Sequence, residues 1–180
     1  MHGMILAEMQ RFVDAKFGPQ LWRGLLGDSG LGLQSYEVNQ SYSDQHVARI
    51  VAAAARQTGL SRDAILESFG EFIAPHLLAM YPSLVKAEWK TLDVVEHTED
   101  VIHAVVRSQH PDADPPYLRV HRTGDAEIVI FYDSPRKLCF IAKGIVKGLA
   151  DHFGETVGVV ERRCMLTGAP DCTLVLSADG

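Results

Sequence analysis

The chain has 180 residues, of which 47% are hydrophobic and 22% charged, so it can form one domain with its own core and is neither a disordered tail nor a disulfide-dense miniprotein. Its net charge of −6 offers no basic field for nucleic acid, and no apolar run approaches the roughly 18 residues that span a bilayer. Because three cysteines cannot form a closed set of disulfides and the N-terminus lacks a signal-peptide pattern, we expect a cytoplasmic protein without a nucleic-acid or membrane partner.

The first part of the chain is predicted to be helical. Apolar residues recur at helical spacing over residues 4–17, and Gly18-Pro19 separates this helix from a short one over residues 20–26. Ser43-Asp44 is typical of the start of a third helix. Residues 59–63 combine the end of that helix with the cap of a fourth.

A longer helix is predicted over residues 84–108, with a break near Lys90-Thr91. Two adjacent prolines within residues 110–116 exclude a helix there, so we place a subdomain boundary in this segment. We expect a single domain over residues 1–180, with a helical part over 1–110 and a mixed part over 111–180.

After the prolines the apolar pattern changes to the period of strands. Ser134-Pro135 is typical of the N-cap and first residue of a helix. The predicted order is a strand over 117–120, a turn over 122–125, a strand over 127–132, a helix ending near Phe153, and strands over 156–161 and 173–176. The predicted fold class is α+β: a helical N-terminal subdomain packed on a C-terminal antiparallel sheet that a long helix crosses.

Three polar side chains, those of Tyr132, Ser134 and Arg136, lie at the predicted strand-to-helix corner. Hydroxyl donors, a guanidinium and the free N–H groups of a helix start could together bind one or two carboxylates. The alternative from these residues alone is an ordinary helix cap with a solvated arginine.

His103 lies within the predicted long helix, where a neutral imidazole can ligate a transition metal, including haem iron. The chain has eight histidines, and composition gives His103 no preference over His76 or His97. From composition alone, His103 could equally be a core or surface residue.

The three cysteines form another candidate site. Cys139 lies in the helix after the corner, and Cys164 and Cys172 flank a turn that could bring their thiols together. Glu161 could add an oxygen ligand, which would complete a zinc site. The alternative is three small buried hydrophobic residues, since the spacing matches no common zinc-finger pattern.

Tyr132-Asp133-Ser134-Pro135-Arg136 fits the Tyr-x-Ser-x-Arg signature of haem–nitric oxide/oxygen binding (H-NOX) domains. The start Met1-x-Gly3, His103 and the pair Pro115-Pro116 also stand where this family has its start, its proximal histidine and its prolines. Over essentially its whole length, the sequence therefore resembles the H-NOX family, which is related to the haem sensor of soluble guanylate cyclase.

The resemblance implies that haem b lies between the two subdomains, with His103 as the axial ligand of its iron. It assigns Tyr132, Ser134 and Arg136 to the haem propionates. Pro116 would press on the porphyrin face and distort it, and Ile5 would pack on the distal side or edge.

The resemblance also bears on which gas binds. Oxygen-binding members carry a hydrogen-bonding tyrosine five residues after the arginine of the signature, where this chain has Ile141. The neighbouring Ile145 is apolar as well, so we expect NO, and CO as a second gas, to be favoured over O2. Gly144 and Gly148 could let this helix approach a flat cofactor, or could serve plain helix packing.

Some bacterial nitric oxide sensors of the family bind zinc through three cysteines and one histidine. Cys139, Cys164 and Cys172 match those cysteines, and Glu161 stands at the histidine position. The resemblance thus implies a structural zinc whose fourth ligand is Glu161 or a substitute such as His152.

The implied function is haem-based sensing of nitric oxide. NO would weaken the bond between the iron and His103, and the conformational change would pass to a partner, in similar proteins often a histidine kinase or a cyclic-di-GMP enzyme. The alternatives are a cysteine- or zinc-based redox sensor of the same fold and a haem-free ligand-binding module. No cysteine-hydrolase signature is present, so we expect no enzyme activity.

Overall fold

The computed structural model describes residues 1–179, and within this range it contains seven α-helices and one four-stranded antiparallel sheet. None of the described helices is both long and apolar enough to cross a membrane. The elements are α1 (Gly3–Phe17), α2 (Pro19–Asp28), α3 (Gln45–Thr58), α4 (Arg62–Met80), α5 (Thr91–Glu96), α6 (Ala104–Gln109), β1 (Tyr117–Gly124), β2 (Glu127–Asp133), α7 (Cys139–Phe153), β3 (Val157–Arg163) and β4 (Cys172–Ala178).

The first four helices are confirmed near their predicted bounds, because the local signals for helix ends are strong. Gly18 has a φ of 87° and Pro19 opens α2. Gly59 closes α3 in the left-handed region, and Ser61 Oγ accepts a hydrogen bond from the Ala64 N–H at 3.1 Å. Fully buried side chains such as Phe69 join these helices in one apolar cluster.

The break predicted near Lys90-Thr91 is confirmed, whereas the helix predicted before it, over residues 84–90, and the unbroken helix predicted after it are wrong. Only a 3-10 turn stands at Pro82–Leu84, and α5 begins at Thr91, where the Asp93 carboxylate accepts from the Lys90 N–H at 3.0 Å. After α5 the chain forms a π-helical turn over Thr98–His103 that leads into α6. The apolar spacing did not reveal this interruption, since short α and π segments present similar side-chain patterns.

The sheet has the strand order β1-β2-β4-β3, with every neighbouring pair antiparallel. Both C-terminal strands are confirmed. The turn predicted at residues 122–125 is displaced to residues 125–126, because a bulge between Arg122 and Gly124 lets β1 continue past the predicted turn.

The helix start predicted at Ser134-Pro135 is also wrong, because α7 begins at Cys139. The Lys137 N–H donates to the Ser134 carbonyl at 3.0 Å, and Lys137 has a positive φ of 51°. Residues 134–138 therefore form a turn, which ends the strand without starting a helix. The predicted end is confirmed, with Gly154 in the left-handed region after Phe153.

Helix α7 lies between α4 and the inner face of the sheet. Val146 and Leu149 pack with buried residues of β2 and β4. On the opposite side, Gly144 and Gly148 contact the backbone of α4 so closely that an added Cβ would lie 2.0 Å and 2.5 Å from the carbonyl oxygens of Glu67 and Glu71. These glycines serve helix packing, and the interpretation that they approach a flat cofactor is wrong.

Candidate functional site

His103 ends the π-helical turn, and its side chain is only 14% exposed. The Glu99 carboxylate lies 3.0 Å from its Nδ1. Burial lowers the pKa of His103, while the hydrogen bond to Glu99 and the nearby backbone of Pro116 act in the opposite direction. The pKa therefore stays below its ordinary value, so the imidazole is neutral near pH 7, which is the form that binds metals.

The helix around His103 has an apolar side that the protein does not fully cover. Val101, Ile102, Val105 and Val106 are all half-buried, and neither the π-helical turn nor α6 contains a buried residue. Pro116 lies against the same histidine. A partly covered apolar surface beside a neutral imidazole fits a flat, largely apolar ligand that binds through a metal, as haem does.

Arg136 lies where it binds carboxylates. Its Nε donates to Asp44 Oδ1 at 2.9 Å, its Nη2 to Asp114 Oδ2 at 2.8 Å, and its Nη1 to the Asp114 carbonyl at 2.6 Å. The guanidinium is only 13% exposed. Because a guanidinium presents a planar fork of donors, this position suits the carboxylate arms of a haem, which would compete with the two aspartates.

The other two polar residues of the signature are buried on the inner side of the same corner. Tyr132 and Ser134 are each 3% exposed. Burial raises the pKa of Tyr132 to about 12, although hydrogen bonds to Ser134 and to the Leu138 backbone lower it. Since α7 starts after this turn, the corner offers side-chain donors without the free N–H groups of a helix start.

The predicted distal residues come from two helices. Ile5 on α1 and Ile141 and Ile145 on α7 are half-buried and pack against the helical core. The sequence of α7 contains no Ser, Thr or Tyr. Helix α7 therefore offers no hydroxyl donor beside Ile141 and Ile145.

The three cysteines, one at the start of α7 and two that flank the turn between β3 and β4, form one cluster. The Sγ atom of Cys164 lies 3.7 Å from that of Cys139 and 3.6 Å from that of Cys172. Tetrahedral zinc, with Zn–S bonds of about 2.3 Å, requires S–S separations of about 3.8 Å, so the spacing fits zinc. Burial raises the pKa of Cys139 and of Cys172, which keeps these thiols protonated unless a metal is bound.

Glu161 lies beside this cluster. One of its carboxylate oxygens and the three sulfur atoms are all within 4.8 Å of one another, although Glu161 also forms an ion pair with Lys143 at 3.0 Å. His152 is not in this group, and its ring lies against Phe153. Of the two fourth ligands expected from the sequence, the structure brings only Glu161 to the thiols.

Sequence analysis missed three acidic residues that hold the site together. Asp44 and Asp114 bind Arg136, and Glu99 binds His103. Glu99 could have been found, because it stands four residues before His103 and such spacing places side chains together on a helix. The aspartates gave no signal, since their contacts with Arg136 form between segments distant in sequence.

Comparisons with known proteins identify the family and the fold. A family model described as Haem-NO-binding matches residues 2–161. The structure of an H-NOX protein from S. oneidensis in the Fe(II)NO ligation state is similar over 100% of both chains, with a TM-score of 0.92 and 26% identity. An Fe(II) unliganded H-NOX protein from K. algicida shares the fold over 100% of this chain and 97% of its own, with a TM-score of 0.89 and 20% identity.

Longer relatives match as well. Soluble guanylate cyclase 89Db of Drosophila melanogaster is 25% identical over 137 residues, which is 76% of this chain and 20% of the cyclase. The chain thus spans about a fifth of the length of the curated relatives it matches.

Proposed function

The chain belongs to the haem-NO-binding (H-NOX) family of haem-based gas-sensor domains, and we propose that it senses nitric oxide through haem b held by His103. The observation that carries this proposal is the half-buried, neutral imidazole of His103 beside Pro116 and a partly covered apolar helix surface. The family's domains are sensors and are not catalytic by themselves.

The residues around the site divide the work of holding the haem. His103 would bind the iron, and Arg136, with Tyr132 and Ser134 behind it, would hold the propionates. Pro116 would press on the porphyrin face. When bound, haem would supply an iron able to bind NO, and His103 would be the protein ligand whose hold on that iron NO weakens.

The signal would pass from His103 to the sheet. The π-helical turn that ends at His103 packs on β1 and α5, and the Glu99 carboxylate in that turn accepts from the Leu118 N–H at 3.0 Å. Release of His103 would therefore let this turn move against β1. The domain would then have two conformations, one with His103 bound to iron and one with His103 released, and the gas would shift the balance between them.

The apolar side chains of Ile5, Ile141 and Ile145, which the resemblance assigns to the distal side of the haem, support nitric oxide as the ligand. Bound O2 carries partial negative charge and is retained by a hydrogen-bond donor, whereas NO and CO are held without one. Apolar side chains around the bound gas consequently disfavour O2 and retain NO and CO.

Ile141→Tyr should convert the chain into an oxygen binder. The new hydroxyl would donate a hydrogen bond worth about 1.5–3 kcal/mol to charged O2, which corresponds to a slowing of O2 dissociation by about 10- to 100-fold. The check is stopped-flow absorbance of the reduced protein after rapid mixing with air. Ile141→Phe has the same ring without the hydroxyl and should behave like the natural chain.

Two outcomes would contradict this proposal about the gas. One is a stable oxygen complex in the natural chain, and the other is equal retention of O2 by Ile141→Tyr and Ile141→Phe.

We further propose that the sensor reports to a separate signalling protein, a histidine kinase or a cyclic-di-GMP enzyme, by binding it differently with and without NO. The three unpaired thiols support a reducing compartment such as the cytoplasm as the place where this happens.

We also propose that Cys139, Cys164, Cys172 and Glu161 hold a structural zinc. The support is the S–S spacing of 3.6 Å and 3.7 Å and the absence of any hydrogen-bonding partner for Cys139 Sγ among residues 1–179 other than thiols. The same close thiols favour a second candidate function, a redox sensor in which oxidation of these cysteines carries the signal.

Replacing Cys164 and Cys172 together with serine should remove the zinc, with a loss of zinc affinity of more than about 100-fold. Elemental analysis of the dialysed protein measures this. Met165→Leu changes a buried neighbour of the cluster that is not a ligand, and it should keep the metal. A natural chain that carries no zinc, but whose partner binding changes on thiol oxidation, would replace the zinc proposal with the redox sensor.

A further inference from the structure

The Glu99 carboxylate contacts three groups: the His103 ring, the Leu118 N–H and the Arg107 guanidinium. Its Oε2 lies 3.0 Å from His103 Nδ1 and accepts from the Leu118 N–H at 3.0 Å. Its Oε1 forms an ion pair with Arg107. The Glu99 side chain is 12% exposed, and its two oxygens face a guanidinium and an N–H donor, so Glu99 acts as a hydrogen-bond acceptor.

A carboxylate beside one nitrogen of an imidazole determines where the ring proton resides. Because a carboxylate only accepts, the His103 nitrogen that faces it, Nδ1, carries a proton, which leaves Nε2 as the nitrogen that can bind a metal. Histidines that bind metals usually donate their other ring N–H in this way, which fixes the ring and makes the ligating nitrogen more basic.

We propose that Glu99 is a positioning residue that fixes the tautomer of His103 and sets the strength of its bond to iron. This inference rests on the proposed function, since it concerns the same histidine. Arg107 shares the Glu99 carboxylate and moderates it, because a cation beside the acceptor draws away part of its negative charge.

Glu99 also joins the histidine to the sheet through a continuous set of contacts. Leu118, whose N–H donates to Glu99, lies opposite Tyr132 in the β1–β2 pairing, and Tyr132 lies opposite Cys172 in the β2–β4 pairing. The Glu99 carboxylate would therefore strengthen the bond between His103 and iron and also hold the π-helical turn against β1. Removing this carboxylate should weaken the iron bond and the contact with β1.

Resonance Raman spectroscopy of the reduced, gas-free holoprotein tests the proposal, because the iron–histidine stretching frequency reports the strength of that bond. Glu99→Gln should lower the frequency, and Arg107→Met should raise it, since the carboxylate then keeps more of its negative charge for His103. Release of His103 after NO binding should become about 10-fold faster in Glu99→Gln. Glu88→Gln changes an exposed acid outside this set of contacts and should leave the frequency as it is.

Opposite shifts in the two variants support the proposal, because a merely structural role would lower stability in both without moving the frequency in opposite directions. Unchanged frequencies in both would overturn it. So would imidazole nitrogen NMR of the full chain, with reduced haem and CO or without haem, if it placed the ring proton of His103 on Nε2.

The two proposals can fail separately. A chain without haem would refute the proposed function, and the NMR measurement would still decide the tautomer. A chain that binds haem, but whose iron–histidine stretching frequency is the same with and without the Glu99 carboxylate, would refute only the positioning role.

Discussion

Replacement of His103 by glycine should lower the haem content of the purified protein by about 10- to 100-fold. Arg136 and the apolar surfaces would still contact the porphyrin, but no other side chain is proposed to bind the iron. Imidazole added to the buffer should restore haem retention, because a free imidazole can occupy the space of the missing side chain. The absorption spectrum after haem reconstitution, with and without imidazole, measures both effects.

His97→Gly is the matched control for this experiment. His97 is a histidine from the same part of the chain, and its ring stacks on Trp89 with centroids 4.5 Å apart. This variant should retain haem and its reaction with NO. If His103→Gly kept the haem content and NO spectrum of the natural chain, His103 would not be the axial ligand.

Gly144→Ala should destabilise the fold by more than about 3 kcal/mol. The added methyl group would lie 2.0 Å from the Glu67 carbonyl oxygen and 2.9 Å from the Glu71 N atom, both in the backbone of α4. Because a helix backbone cannot yield as a flexible side chain can, α4 and α7 would have to separate. Urea unfolding followed by circular dichroism measures the loss.

Gly27→Ala provides the control for this substitution. Gly27 lies inside α2, and a Cβ there would meet no atom within 4 Å. Alanine should stabilise this position by about 0.5–1 kcal/mol through its higher helix propensity. Equal stability of Gly144→Ala and the natural chain would contradict the packing described for α4 and α7.

Much of the helical part could be predicted because its boundaries are marked by residues with restricted conformations. Gly18-Pro19, Gly59 and Ser61 each mark a helix end in the sequence and in the structure. Residues 84–109 could not be predicted in the same way. The break near Lys90-Thr91 was predicted, and there the Glu155 carboxylate accepts from the Thr91 N–H at 2.9 Å. The π-helical turn over Thr98–His103 was not predicted, because its side-chain spacing resembles that of an α-helix.

The packing of α7 also depends on long-range geometry. Gly144 looks like any helical glycine in the sequence, and only the position of α4 shows why a side chain is excluded there. The division of the chain at residues 110–116 stays a prediction, and α7, which follows it, packs closely on α4, which precedes it.

The site residues could be predicted from the spacing of the Tyr-x-Ser-x-Arg signature and from the family resemblance. Their hydrogen-bond and ion-pair partners are known only from the structure. The sequence places Cys139, Cys164 and Cys172 in one candidate site, and in the structure their sulfur atoms lie within 4.8 Å of one another. The aspartates at Arg136 could not be inferred, because one lies 92 residues away from it in the chain. Local motifs thus indicate the chemistry, while the charges that tune it come from the tertiary fold.

The haem content and absorption spectrum of the purified chain test the account most directly. The pyridine haemochrome assay should find stoichiometric haem b, and the Soret band of the reduced protein should shift with NO while air leaves no stable oxygen complex. A colourless chain without porphyrin that still changes its binding to a signalling partner would contradict the account.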